Sequence, residues 1–307
     1  MSGVTSESLV IDTALVRRLL VEQFPQWAGL PLRRVEPGGS DHVIHRLGDE
    51  LAVRLPRGAW AAGQAEKEAR LLPRLAPHLP LAVPAPLAVG EPAHGYPWHW
   101  SVARWLPGGT PAGPAGLADL PADAVRLAGF LAALRALPTV PGLAPGAHND
   151  HLGAPLAGRD AGTRAQIAAA GGAFDARALT ALWDAAVRAP VHRGPPVWFH
   201  GDLHTGNLLA VDGRLTAVID FGGLGVGDPA CDLVVAWTLL DAPARAAFRA
   251  VLGVDDAAWL RGRGWALTTG LNAYTHYAAT HPRIARATRH QIEAALSGPH
   301  HPPKEPR

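Results

Sequence analysis

Cysteine occurs once in the 307 residues, at Cys231, so no internal disulfide can form; its place before an apolar helical pattern suits a buried thiol. Lysine is almost as scarce. Of the 28 basic residues only Lys67 and Lys304 are lysines, and with alanine, proline and glycine abundant this reads as a coding bias. The arginines are scattered, no basic run occurs, and the formal net charge is +2, which offers no surface for a nucleic acid. No apolar run is long enough to cross a membrane, and Ser6, Glu7 and Asp12 stand where a secretory leader would carry basic and then apolar residues. Together these absences point to a cytoplasmic protein with no nucleic-acid or membrane partner. Its length can bury a sizeable core and build two lobes.

The most informative stretch runs from Val197 to Leu233. Val197-Trp198-Phe199 predicts a buried strand, and the chain then turns polar through His200-Gly201-Asp202-Leu203-His204-Thr205-Gly206-Asn207. Leu208 to Val211 and Leu215 to Ile219 predict a hairpin reversing at Asp212-Gly213. That brings Asp202, Asn207 and Asp220 to one end of the hairpin. Two carboxylates and an amide oxygen suit a hard cation such as Mg²⁺, which takes oxygen ligands and shares them with phosphates. His200 and His204 are four apart, as in a zinc pair, but neither the glutamate nor a third ligand of a zinc hydrolase accompanies them.

HGD-LH-x-GN, then IDFG, then GDPACDL resembles the aminoglycoside phosphotransferase branch of the kinase-like fold, which also holds macrolide, choline and homoserine kinases. The resemblance covers about Gly38 to Leu240 and is most specific from His200 to Leu233. It implies a two-lobed α+β protein-kinase-like fold: a small antiparallel-sheet lobe over 1–103, a linker at 104–109 and a mainly helical lobe over 110–307. It further implies Asp202 as the catalytic base, Asn207 and Asp220 as magnesium ligands, and ATP or GTP as phosphoryl donor. Asp232, and His200 beside the base, are then residues that brace the loop.

From the start of the chain, Leu9, Val10, Leu15, Leu19, Leu20 and Phe24 predict a leading helix over 9–24. A strand meander follows, Leu32–Glu36, Val43–Leu47 and Leu51–Leu55, whose first turn Pro37-Gly38-Gly39-Ser40-Asp41 is glycine-rich. Backbone amides in such a turn can approach phosphate closely, although an ordinary hairpin turn has the same composition. Gln64–Leu75 predicts a helix with Glu68 at the edge of its apolar face. In kinases the helix after this strand supplies a Glu to pair with a strand Lys; Glu68 fits that place best and Glu66 second, but the strand offers Arg54 in place of lysine. Residues 77–97 are proline-rich and read as extended. Trp98–Leu106 is the last strand of the lobe, and the resemblance makes Arg104, Trp105 and Leu106 the backbone that holds the nucleobase.

Beyond it helices are predicted over 122–137 (Val125, Phe130, Leu131, Leu134 and Leu137 inward), from Asp175 to Val187, from Asp228, from Asp241, and over 255–280 and 283–296. Residues 138–160 read as a long loop whose His148, Asn149, Asp150 and His151 either meet a substrate or are plain surface groups. The tail beyond Ser297 is predicted unstructured.

The expected function is transfer of a nucleotide γ-phosphoryl group to a small-molecule hydroxyl, the partner being that acceptor. Alternatives within the class are a macrolide kinase or a sugar, choline or homoserine kinase. A nucleotide-binding homologue without turnover is the reading from another class, suggested by the missing strand lysine. Past Leu260 arginines outnumber acids, and Trp259, Trp265, Tyr274 and Tyr277 are frequent; this predicts an acceptor less cationic than a kanamycin-type drug.

Overall fold

The computed structural model describes residues 9–36 and 38–297; Ser6, Glu7, Pro37 and the predicted tail beyond Ser297 lie outside the described residues. The chain divides into two compact units, the first comprising the chain up to Pro77 with Ala82–Pro107, the second His78–Leu81 with everything from Gly108.

The first unit begins with helix α1 (Thr13–Gln23), whose start is fixed by Asp12 accepting from the Leu15 amide. The predicted beginning at residue 9 is corrected: Leu9 and Val10 precede the cap and lie exposed. Strands β1 (Leu32–Arg34), β2 (His42–Leu47) and β3 (Leu51–Pro56) form the expected meander. Helix α2 (Gln64–Leu75) follows, then β4 (Pro86–Gly90) and β5 (Trp100–Arg104). The five strands make one antiparallel sheet in the order β1-β2-β3-β5-β4. β5 is therefore an inner strand, and the proline-bearing β4 takes the edge, where a missing N–H costs no ladder bond. Side chains alternate across the sheet, so Val53 and Leu55 pack with Leu19, Leu20, Trp100 and Val102 in a core under α1, and Arg54 points to the other side.

The second unit is mainly helical. α3 (Leu120–Ala136), α4 (Asp160–Ala169) and α5 (Ala176–Arg188) precede β6 (Val197–Phe199), β7 (Leu208–Val211), β8 (Arg214–Val218) and β9 (Gly225–Gly227). α6 (Val235–Thr238), α7 (Ala242–Leu252), α8 (Asp256–Tyr277) and α9 (Pro282–Leu296) complete it. Asp119, Asp175, Asp241 and Asp255 each cap the helix that follows by accepting backbone N–H groups. β7 and β8 form the hairpin, reversing at Asp212 (φ 49°) and Gly213 (φ 71°), the pair of left-handed residues that matches strand twist in a two-residue turn. β6 pairs with β9.

Two expectations are corrected here. α4 begins at Asp160, the last residue of the predicted loop, and runs through residues for which no element was expected. On α3, Val125 is 43% exposed while Asp123 is buried, accepting the Leu215 amide at 3.1 Å and an ion pair from Arg126. The helix turns a carboxylate inward because the hairpin presents a backbone donor there.

Candidate active site

The polar loop starts where β6 ends, and it is held from below. Asp232, fully buried in the turn Pro229–Val234, accepts the amides of His200 at 2.9 Å and Gly201 at 2.8 Å. Burial raises its pKa, opposed by His200, Arg135 and those two amides. Gly201 has φ +90°, and a Cβ there would lie 2.4 Å from the carbonyl oxygen of Gly223. The loop and the turn after Asp220 thus lie backbone on backbone, an approach only glycine permits.

His200 ties two segments together. Its Nδ1 accepts the Asp202 amide at 3.2 Å and its Nε2 bonds the carbonyl of Ile219 at 3.0 Å, so the neutral ring carries its proton on Nε2. Burial lowers its pKa in spite of Asp232 and Asp202, which keeps the ring neutral. Phe221 packs against it edge-on, with ring centroids 4.5 Å apart.

Asn207 is buried in the turn just before β7 and donates its side-chain N–H groups to the carbonyl and the Oδ2 of Asp202, each at 2.8 Å. Its own carbonyl accepts the Ile219 amide at 2.9 Å, one residue before Asp220. The three predicted residues therefore meet at one end of the hairpin: Asp202 and Asn207 in direct contact, Asp220 on the neighbouring strand end. Asp220 takes left-handed torsions (φ 65°, ψ 73°), which Asp tolerates better than most residues. Asp202 keeps 55% of its side-chain surface open. Burial opposes its ionisation, but the proximity of His204, whose ring attracts the carboxylate when protonated, then of His200 and Asn207, outweighs that and holds its pKa below the usual carboxylate range.

In the first unit, Arg54 Nη1 lies 2.5 Å from Glu68 Oε2, with Glu68 2% and Arg54 12% exposed. The alternative carboxylate, Glu66, is turned instead toward His99, 3.4 Å away. Gly38 and Gly39 are free of left-handed torsion, and an added Cβ on Gly39 would find nothing nearer than 3.8 Å. Arg57, which the sequence gave no reason to choose, secures this turn through its Nε on the Gly39 carbonyl at 3.0 Å and its amide on the Asp41 carbonyl at 2.7 Å. The linker amides are unequal: Arg104 donates to Ala85 and Trp105 to Glu50, so among the described residues Leu106 is the one of the three whose amide is not engaged by the sheet.

Part of the charge count behind a weakly cationic acceptor is internal to the fold. Arg261 is buried in an ion pair with Asp228, 2.7 Å, and Arg263 donates to the carbonyl of Ala295. Arg289 lies over the rings of Phe174 and Tyr274, and Trp265 is fully buried. Arg261, Arg263 and Trp265 belong to the helical core and say little about a ligand, while Arg283 and Arg286 are exposed. In the long loop, Asn149 is buried and holds the Gly146 amide, and Asp150 pairs with Arg159. Neither partner of the Asp228–Arg261 pair signals the other in sequence, since 33 residues separate them.

Among the described residues no cluster of three or more His, Cys, Asp or Glu is arranged to hold a metal, and no helix is long and apolar enough to cross a membrane. The protein resembles solved small-molecule phosphotransferases along nearly its whole length. The GDP and kanamycin complex of APH(2")-IIia aligns with a TM-score of 0.72 at 20% identity, covering 92% of this chain and 98% of that one. The apoenzyme of macrolide 2'-phosphotransferase MphH from Brachybacterium faecium aligns with a TM-score of 0.57 at 25% identity, covering 94% and 99%. An aminoglycoside 3'-phosphotransferase of Escherichia coli is 38% identical over 60 residues, a match spanning 20% of this chain and 22% of that enzyme. The fold is thus the two-lobed kinase-like α+β fold. Residues 31–265, most of the chain, match the family profile itself, and the chain belongs to the phosphotransferase enzyme family.

Proposed function

We propose that the protein transfers the γ-phosphoryl group of ATP or GTP to a hydroxyl of a small molecule, with aminoglycosides the first acceptor class to test. The observation that supports this most directly is the convergence of Asp202, Asn207 and Asp220 on one hairpin end, with Asn207 bonded to the Asp202 carboxylate. In this reading Asp202 accepts the acceptor's hydroxyl proton as the new O–P bond forms and the nucleoside diphosphate leaves. Its low pKa keeps it ionised at neutral pH. Such chemistry depends chiefly on positioning and charge neutralisation, so a weak base that is always ionised is adequate.

Asn207 and Asp220 would hold Mg²⁺. With the Asn207 amide nitrogen engaged by Asp202, the atom it presents to a cation is oxygen, and Asp220 adds a carboxylate. One carboxylate and one amide oxygen fit an ion that fills its remaining shell with phosphate and water oxygens. When bound, the ion neutralises charge on the transferring phosphates. Arg54, oriented by Glu68, brings a fixed positive charge, and its planar fork can bind phosphate as lysine would. The amides of Gly38, Gly39 and Ser40 approach the phosphates, and the backbone of Arg104, Trp105 and Leu106 receives the base, with Leu106 as donor and the other two limited to their carbonyls. His200 and Asp232 fix the loop. Lobes at 1–103 and 110–307, a cytoplasmic location and, for an aminoglycoside acceptor, antibiotic resistance in the host belong to the same reading.

A macrolide acceptor is the second reading, favoured by the 25% identity to the macrolide enzyme over almost its full length. Acceptor-dependent release of ADP or GDP with Mg²⁺, measured across aminoglycosides, macrolides, sugars, choline and homoserine, decides between them. Absence of acceptor-dependent release across the panel would sink the proposal.

A further inference from the structure

His204 repeats, four residues later, the local arrangement of His200. His200 Nδ1 accepts the amide two residues ahead, and His204 Nδ1 accepts the amide two residues ahead, that of Gly206, at 3.0 Å. A ring nitrogen that accepts an N–H carries no proton, so the neutral His204 ring bears its hydrogen on Nε2. That Nε2 is 3.6 Å from Oδ2 of Asp202. The distance is long for a hydrogen bond, but catalytic hydrogen bonds in unliganded sites are commonly long and tighten when substrate binds. The same Oδ2 already receives the Asn207 side chain at 2.8 Å.

The ground under His204 is firm. Its carbonyl accepts the Asn207 amide at 2.9 Å, and the next residue, Thr205, is tied to Thr238 by its amide and by its hydroxyl. A proton on Nδ1 would face the N–H of Gly206 and break the turn.

We propose that His204 is a positioning residue: its Nε2–H and the Asn207 amide both engage Oδ2 of Asp202, which leaves Oδ1 to meet the acceptor's hydroxyl proton. The inference rests on Asp202 being the proton acceptor. His204→Asn separates its two contacts, because the shorter side chain can still accept the Gly206 amide as a cap but brings no N–H to Oδ2. His204→Ala loses both. The expected result is that His204→Asn keeps the melting temperature and the nucleotide KM of the wild type while kcat falls on the order of tenfold, the scale of one hydrogen bond. His204→Ala should fall further and melt lower. Histidine-selective ¹⁵N NMR of the wild type, with the His204 signal assigned by its loss in the Asn variant, should show a proton-bearing Nε2 and a bare Nδ1. An unchanged kcat in His204→Asn, equal loss of stability in both variants, or a protonated Nδ1 would overturn the role of His204 and leave Asp202 standing. A wild type that phosphorylates nothing on the panel would instead overturn the reading of Asp202, and this inference with it.

Discussion

Two glycine-bearing turns carry the proposed chemistry, and they are held in opposite ways. The loop at Gly201 is clamped: a buried carboxylate takes two of its amides, a buried imidazole spans to the next strand, and a second backbone leaves no room for a Cβ. The turn at Gly38–Asp41 has space at Gly39, is crowded only by the Arg57 side chain at Gly38, and is held at its rim by Arg57, with Gln64 reaching the Asp41 carboxylate at 3.3 Å. The contrast matches two tasks. A group that takes a proton in flight must hold one geometry within fractions of an ångström, whereas a turn that covers phosphates has to admit and release them.

The largest test of the clamped side is Asp202→Asn, expected to lower kcat by roughly 10²–10⁴-fold while calorimetry shows nucleotide binding retained. Turnover at the wild-type rate would remove Asp202 from the role. Next is Gly201→Ala. The positive φ and the clash with Gly223 together should cost about 2 kcal/mol or more in denaturant unfolding, with activity largely lost; an unperturbed variant would mean that the loop is not clamped. Asp232→Asn should lower stability by about 1–3 kcal/mol, since an amide group cannot accept from both backbone donors, and urea titration measures it. On the open side, Arg54→Ala is expected to raise the nucleotide KM on the order of tenfold, the scale of one charge-assisted bond, and Arg54→Lys to recover part of it. The mildest is Gly39→Ala. With no atom within 3.8 Å of the new methyl group, stability should stay within about 0.5 kcal/mol of wild type, and any rise in nucleotide KM would report phosphate approaching that backbone.

The polar end of the clamped loop was legible in sequence because its residues are neighbours in the chain, while Asp232, 32 positions from His200, was reached through the family resemblance. Asp202 and Asn207 are five apart, the hairpin turn announces itself at Asp212-Gly213, and the apolar runs fix which strands pair. The sheet of the first unit was legible for the same reason, each strand being followed closely by its partner, except that β5 inserts beside β3 and leaves β4 outside. What escaped depends on contacts between distant residues. Asp123 is turned inward by an amide 92 positions away, which no helical periodicity anticipates. The arginines of α8 looked like a basic surface because Asp228 and the Ala295 carbonyl, which neutralise or occupy them, lie elsewhere in the chain. The role of His204 was hidden by its partner in the motif: two histidines four apart suggest a metal pair, and only the accepted amides reveal two ring-mediated turns.

The hairpin also dictates an order of events during synthesis. Gly109 exchanges backbone bonds with Ala210 in both directions, 3.1 and 2.9 Å, and the Ala118 amide donates to the Gly213 carbonyl at 2.8 Å. The opening segment of the second unit is therefore a strand-like partner for residues made about a hundred positions later. As the ribosome extends the chain, that segment waits with its hydrogen-bonding groups unpaired until the hairpin emerges. Such a long closure is slow and exposes strand edges meanwhile. Nascent chains arrested before the hairpin should be more readily cleaved by protease within 108–118 than chains arrested after it, which makes this stretch a natural point for chaperone engagement.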